Sequence, residues 1–300
     1  MVYLSSQFLI FAILIAGIAF SFVMFFAFRI KGDKLIFEKK SRYHHIMVFE
    51  DGDIRTLRLG DGPDDGKQSR IDLHDPDFLL LEYTRLVFAA FLINDSPFKV
   101  LIIGLGGGAL PRAINRYIPD AEIDVIDIDP DVVEVAEEFF FFDPGDKIKV
   151  HISDGRTFIQ RTALDNPDKK YDMVILDAFN SSFTPKHLLT KEFLKELMLI
   201  LDPSGVVAAN VLTDNRMFHS ILKTYRKVFK RCYLFMGGKV HNAVLISPGP
   251  DAPDIDSKQA EIKANSLQKL YHFNFSLVSV VRQFRPGYSP KMTAKVLTDF

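Results

Sequence analysis

The sequence predicts an α/β protein: a Rossmann-like, doubly wound parallel sheet, with a small N-terminal β-hairpin segment and one N-terminal transmembrane helix. Three observations carry this expectation. Short apolar runs alternate with amphipathic segments from residue 100 to residue 229, a glycine-rich turn directly follows the first of those runs, and an uncharged apolar stretch lies near the N-terminus.

Phe8 to Phe28 carries no charged residue over about 21 positions, roughly 31 Å as a helix, which is enough to cross a bilayer. Met1 to Gln7 has no basic residue and Ala27-Phe28-Arg29 offers no small-residue cleavage site, so an uncleaved anchor is expected rather than a signal peptide. Arg29, Lys31, Lys34, Lys39, Lys40 and Arg42 follow the span, and such an excess of positive charge predicts a single-pass membrane protein whose catalytic part faces the cytoplasm. A buried core helix would need a polar stripe or an internal position, and this stretch has neither.

Tyr43 to Phe49 and Ile54 to Leu59, separated by Glu50-Asp51-Gly52-Asp53, predict a β-hairpin. A polar loop is expected from Gly60 to Arg70, then a buried helix from Phe78 to Ile93. Strands are predicted at Val100 to Ile103, Ile123 to Ile126, Ile148 to Ile152, Met173 to Leu176 and Val206 to Val211. Between and after them, helices are predicted at Leu110 to Tyr117, Val132 to Phe141, Thr157 to Leu164, Phe193 to Leu201 and Met217 to Phe229. Cys232 to Met236 and Ala243 to Ser247 flank Gly237-Gly238 and suit a terminal antiparallel pair, which makes the sheet the methyltransferase-type variant of the doubly wound fold. The expected division is an anchor over 1–30, a hairpin segment over 31–75, a nucleotide-binding catalytic domain over 76–248, and a linker with a helical tail over 249–300, the linker covering 249–266.

Composition narrows the function classes. Lys plus Arg, at 37, nearly balances Asp plus Glu, at 38, so no net field recruits nucleic acid, and none is expected as a partner. The single cysteine, Cys232, rules out an internal disulfide framework and a cysteine-rich metal site. His44 and His45 are adjacent on a predicted strand and point to opposite faces, so no shared metal is expected.

The strongest chemical signal is Val100 to Gly108, a buried strand running into Gly104, Gly106, Gly107 and Gly108 just before a helix. Glycines there let the backbone approach a ligand without a Cβ clash, and the helix start favours negative charge; a plain tight turn would use the same residues. Asp127, about 20 residues on, ends the next predicted strand, where a carboxylate can accept from both ribose hydroxyls. Asp154, in Ser153-Asp154-Gly155, ends the third strand and is placed to accept from an adenine amino group, while Asp177 ends the fourth. Each alone could be a turn former or helix cap. Together they converge on the crevice at the carboxyl ends of the strands, where open α/β sheets bind ligands. The downstream pattern favours a nucleoside sulfonium over a dinucleotide.

These stretches, with Ser41-Arg42-Tyr43, Gln68, Phe78, Glu82, Asp127-Ile128-Asp129-Pro130, Asp154-Gly155 and Tyr171-Asp172, resemble the spermidine synthase family over residues 41 to 247. The resemblance implies an aminopropyltransferase that uses decarboxylated adenosylmethionine as co-substrate, with a small amine as acceptor, no metal, and a possible homodimer. It implies that Gln68 and Asp127 hold the ribose or nearby groups, that Asp154 and Gly155 face the adenine, that Glu82 and Asn180 meet the substrate, and that Asp177 is the acid-base residue. Departures from the family pattern fall at the amine end. Gly107 stands where the family has an aspartate that grips the donor's amino group, His44 replaces a glutamine, Leu80 and Leu81 replace polar aromatic positions, and Asn180 replaces a second aspartate. Loss of the carboxylate at 107 removes a repulsion against the carboxylate of intact adenosylmethionine, which fits that nucleotide and methyl transfer better, and a catalytically decayed nucleotide-binding module is a third outcome. Thr184 to Thr190 is expected as a lid after Asp177 or as a plain loop before a helix start at Thr190.

Overall fold

The computed structural model describes residues 33–60, 67–179, 184–238 and 241–299. The expected membrane span, Phe8 to Phe28, lies outside them; among the described residues no helix is long and apolar enough to cross a membrane.

The N-terminal segment is more than a hairpin. β1 (Lys34–Lys40), β2 (His45–Asp51), β3 (Ile54–Leu59) and β4 (Lys67–Asp72) form an antiparallel meander in that spatial order. The predicted pair is its centre. Charge hid β1 and β4: Lys34-Leu35-Ile36-Phe37-Glu38-Lys39-Lys40 and Lys67-Gln68-Ser69-Arg70-Ile71-Asp72 contain few apolar residues, yet Ile71 is buried and pairs with the backbone of Arg55. The polar loop expected over Gly60 to Arg70 therefore ends in a strand. Ile46, Val48, Leu57, Leu59 and Ile71 form a small core with residues of a helix in the larger domain, Val132, Val135 and Phe140.

The larger sheet contains β5 (Lys99–Ile103), β6 (Glu122–Asp127), β7 (Ile148–Ile152), β8 (Tyr171–Leu176), β9 (Leu201–Leu212), β10 (Tyr233–Met236) and β11 (Asn242–Pro248). Its spatial order is β10-β11-β9-β8-β5-β6-β7, with β5 to β9 parallel and the last two strands antiparallel, as the methyltransferase-type variant requires. Alternation along β5 shows why the run is continuously apolar: Val100 and Ile102 enter one layer, Leu101 and Ile103 the other. The helices are α1 (Glu82–Val87), α2 (Ala109–Tyr117), α3 (Pro130–Phe139), α4 (Gly155–Asp165), α5 (Lys191–Ile200), α6 (Phe218–Phe229), α7 (Ser257–Tyr271) and α8 (Leu277–Val281). Several starts are dictated locally. Asp129 caps α3 with Pro130 behind it, Asp154 caps α4 and Thr190 caps α5.

The helix expected from Phe78 to Ile93 is shorter. It is α1 followed by a 3-10 turn, Phe88–Leu92, in which all five residues are buried. Residues 249–266, expected as a linker, instead lead into α7, which starts at a capping box made by Asp256 and Gln259. Ala260, Ala264, Leu267, Phe273 and Phe275 join the same buried layer as β5 and the 3-10 turn. Phe88 is the hub: its ring lies 5.2 Å from Phe91, 5.8 Å from Tyr117, 5.5 Å from Phe273 and 5.1 Å from Phe275. Hydrophobic periodicity did not reveal this, because the fully buried residues of α7 are two alanines and one leucine.

Phe273→Ala is expected to lower unfolding stability by about 3 kcal/mol, read from the urea midpoint; a loss below about 0.5 kcal/mol would mean that the C-terminal segment is not integral to the core.

Candidate active site

The parallel ladder continues one residue past each strand. The Gly104 N–H donates to Ile126 O at 2.8 Å, the Ser153 N–H to Asp127 O at 2.9 Å and the Asp177 N–H to Ile103 O at 2.8 Å. These bonds bring the three predicted aspartates to one edge, and Asp127, Asp154 and Asp177 line a single cavity of about 290 Å³ with Gln68, Gly104, Gly106 and Gly155. The small sheet forms its other wall through Tyr43, His44, Leu59 and Gln68 to Arg70.

The glycine turn is shaped by what surrounds it. Gly104 has φ +99°, and a Cβ there would lie 2.5 Å from the Asp177 carbonyl oxygen, so only glycine lets β5 and the end of β8 approach. Gly107 and Gly108, expected at the nucleotide, are not among the residues that line the cavity. A Cβ on Gly107 would meet Ser69 Cβ at 2.9 Å and the Phe140 ring at 3.0 Å, and one on Gly108 would meet Phe142 at 2.5 Å. The aromatic run after α3 thereby acquires a purpose: Phe140 and Phe142 are buried against the turn while Phe141 is exposed. Ser69 Oγ accepts the Gly107 N–H at 2.8 Å and ties β4 to the turn.

Asp127 Oδ2 accepts from the Leu105 N–H at 2.9 Å and its Oδ1 from the Asp129 N–H at 3.0 Å. Burial pushes its carboxyl above the usual range, against the pull of those two donors. Asp129 is itself buried, taking Ser41 Oγ at 2.5 Å and His44 Nδ1 at 2.9 Å, so Ser41 and His44 fasten the small sheet to the start of α3. His45 faces elsewhere, its Nε2 2.7 Å from Glu38. Asp154 is both helix cap and cavity residue. Its Oδ1 accepts from the Thr157 N–H at 2.9 Å and its Oδ2 lies 2.8 Å from His187 Nε2; burial opposes ionisation, but the Thr157 donors and His187 hold the carboxyl below the usual range. His187 sits on a 3-10 turn, Lys186–Leu188, and with Pro185 and Leu188 lines the cavity, so the segment before α5 is tied to Asp154.

Asp177 has the environment of a base. Tyr83 OH donates to its Oδ2 at 3.0 Å and Asn210 Nδ2 to its Oδ1 at 2.8 Å, while Asn210 Oδ1 accepts from Asn242 Nδ2 at 3.0 Å. Burial raises its pKa to about 7 despite both hydrogen bonds, and burial beside this carboxylate holds the Tyr83 phenol well above its ordinary value. Neither Tyr83 nor Asn210 was singled out from the sequence. Asn210 had a signal, a polar residue inside the apolar run Val206 to Val211; Tyr83 follows Glu82 and had none beyond its position.

The two expected substrate residues are Glu82 and Asn180. Glu82 accepts from the Gly238 N–H at 3.1 Å, at the turn after β10, and does not line the cavity. Asn180 lies outside the described residues. Among the described residues no group of three His, Cys, Asp or Glu side chains is placed to hold a metal ion.

The family described as spermine/spermidine synthase domain matches residues 82–237. A polyamine aminopropyltransferase of Vibrio vulnificus (strain CMCP6) is 37% identical over 246 residues, covering 80% of this chain and 81% of that protein. A spermidine synthase solved in complex with the transition-state analogue AdoDATO aligns with TM-score 0.65 at 21% identity, over 83% of this chain and 85% of its own. Human methyltransferase-like protein 13, solved in complex with SAH, aligns with TM-score 0.59 at 26% identity, over 65% of this chain and 94% of its own.

Asp177 carries more protons in the folded than in the unfolded protein between its ordinary pKa of 3.8 and about 7. Its contribution is therefore present below pH 3.8 and lost as pH rises through 7. Raising pH from 5 to 8.5 should cost the wild-type protein roughly 2–3 kcal/mol more than Asp177→Asn, measured by urea unfolding at both pH values; equal pH dependence would contradict the burial of this carboxyl.

Proposed function

The chain belongs to the spermine/spermidine synthase family of transferases, and we propose that it moves an aminopropyl group from decarboxylated adenosylmethionine to an amine, with Asp177 as the acid-base residue. The observation that carries the proposal is the buried Asp177 carboxyl, held by Tyr83 and Asn210 at the edge of a cleft that Asp127 and Asp154 also line. The nucleoside would lie along the strand ends, its ribose toward Asp127 and Gln68 and its adenine toward Asp154 and Gly155.

The amine nitrogen attacks the carbon beside the sulfonium, the carbon–sulfur electron pair returns to sulfur, and methylthioadenosine leaves. Sulfur starts with a positive charge, so the leaving group needs no acid. The protein has to align the two centres, exclude water and take the amine proton. Asp177 suits that task because a carboxyl with a pKa near 7 is ionised in about half of the molecules at neutral pH yet is basic enough to accept a proton. Tyr83 and Asn210 aim its two oxygens and accept no proton themselves.

Methyl transfer from intact adenosylmethionine is the second reading, favoured by Gly107. No carboxylate at that position grips an amino group, and Ser69 and Phe140 close the space one would occupy. The likeness to a methyltransferase-like protein holding SAH supports the same possibility.

Calorimetry on the full chain in mild detergent separates these outcomes. Binding of decarboxylated adenosylmethionine in preference to the intact form is expected for aminopropyl transfer, the reverse preference for methyl transfer, and Asp127→Ala should weaken either at least tenfold. Absence of binding to both nucleotides and to methylthioadenosine would refute nucleotide use altogether. Asp177→Asn should lower kcat by about 10²- to 10⁴-fold, and the wild-type rate should rise with pH through about 7 as the base form accumulates.

We also propose that residues 8–28 hold the enzyme at a membrane with the catalytic part on the cytoplasmic side. Deleting residues 1–32 should then move the protein from the carbonate-resistant membrane fraction to the soluble one; full-length protein recovered in the soluble fraction would reject the anchor.

A further inference from the structure

The proposed chemistry leaves one charged group of the cleft unused. Arg70 lies on β4 and lines the same cavity as Asp127 and Asp177. Its Nε is buried without a hydrogen-bond partner, and its guanidinium makes no ion pair among the described residues. The carboxylates of this cavity and His44 have partners. Asp127 holds two backbone N–H groups, Asp154 holds Thr157 and His187, Asp177 holds Tyr83 and Asn210, and His44 lies on Asp129. Arg70 therefore presents an unanswered five-donor fork to a partly desolvated space, where a guanidinium needs an acceptor. A planar carboxylate is the matching partner, because both of its oxygens can be met by parallel N–H groups.

Resting on the reading that this cleft takes an adenosylmethionine-type nucleotide and an amine, we propose that Arg70 is the receptor for a carboxylate carried by one of those two substrates. The surroundings are consistent in sign. A simple polyamine would bring only positive charge toward Arg70, and the family's carboxylate at 107 is absent, its space closed by Ser69 and Phe140. Two molecules can supply the carboxylate: intact adenosylmethionine through its amino-acid end, or an amine acceptor that itself bears an acid group.

The test uses pairs that differ by one carboxylate. Calorimetry on the full chain compares adenosylmethionine with its decarboxylated form, and ornithine with putrescine in the presence of methylthioadenosine, for the wild type, Arg70→Gln and Arg70→Lys. Arg70→Gln should weaken one carboxylate-bearing member by about tenfold or more against its decarboxylated twin, with methylthioadenosine binding held within about twofold, and Arg70→Lys should restore part of the loss. A change in the nucleotide pair assigns the carboxylate to the donor, and a change in the amine pair assigns it to the acceptor. Unchanged ratios in both pairs, or an equal loss across all ligands, would overturn the role of Arg70 while wild-type nucleotide binding left the proposed function standing. Failure of the wild type to bind any nucleotide would instead reject the function itself.

Discussion

The close approach of Gly104 to the end of β8 is the contact on which the site depends. Any side chain at 104 would collide with the Asp177 carbonyl, and separating the two strands would break the Asp177 N–H bond to Ile103. That bond fixes where Asp177 leaves the sheet, and its neighbours between Gly104 and Ile126 and between Ser153 and Asp127 do the same for the other carboxylates. A parallel ladder in register thus converts three separate strand ends into one cleft. The aromatic residues after α3 complete the arrangement by packing against Gly107 and Gly108 from behind.

The cleft combines a buried carboxyl with walls of opposite charge. Asp177 owes its raised pKa to removal from water, and the hydrogen bonds from Tyr83 and Asn210 moderate that effect without reversing it. A carboxyl with such a pKa can exchange a proton with a bound group near neutral pH, which is the use proposed for it. The small sheet contributes the rest. His44 and Ser41 anchor it to Asp129, Ser69 anchors it to the glycine turn, and Gln68 and Arg70 are carried on the same strand to the cavity. On the proposed reading, substrate choice is exerted in part by a meander that is separate in sequence from Asp177.

Much of the sheet was legible in the sequence because buried parallel strands are short, apolar and bounded by turns. Ile148 to Ile152 was placed to the residue, and the other strands differ from expectation mainly at their ends. The sequence was a poorer guide where burial uses small or polar residues. α7 packs through Ala260, Ala264 and Leu267, and β4 offers only Ile71 as an apolar signal, so both looked like loop or linker. Among site residues, Asp127, Asp154 and Asp177 could be found from their places after strands. Glu82 could not be tested in that way: its place in a motif was visible, but the direction of its side chain, toward Gly238, was not.

What the sequence determined by itself was the layer architecture and the order of carboxylates along it, because hydrophobic period and glycine position are local properties that each segment carries alone. The tertiary structure decided which groups meet. Tyr83 and Asn210 are far apart in sequence and converge on Asp177 only when α1 and β9 are packed beside β8; Arg70 becomes a cleft residue only when β4 closes over the glycine turn. The physical reason is that ionisation and recognition depend on desolvation and on donors supplied by other elements, and neither exists until the chain is folded.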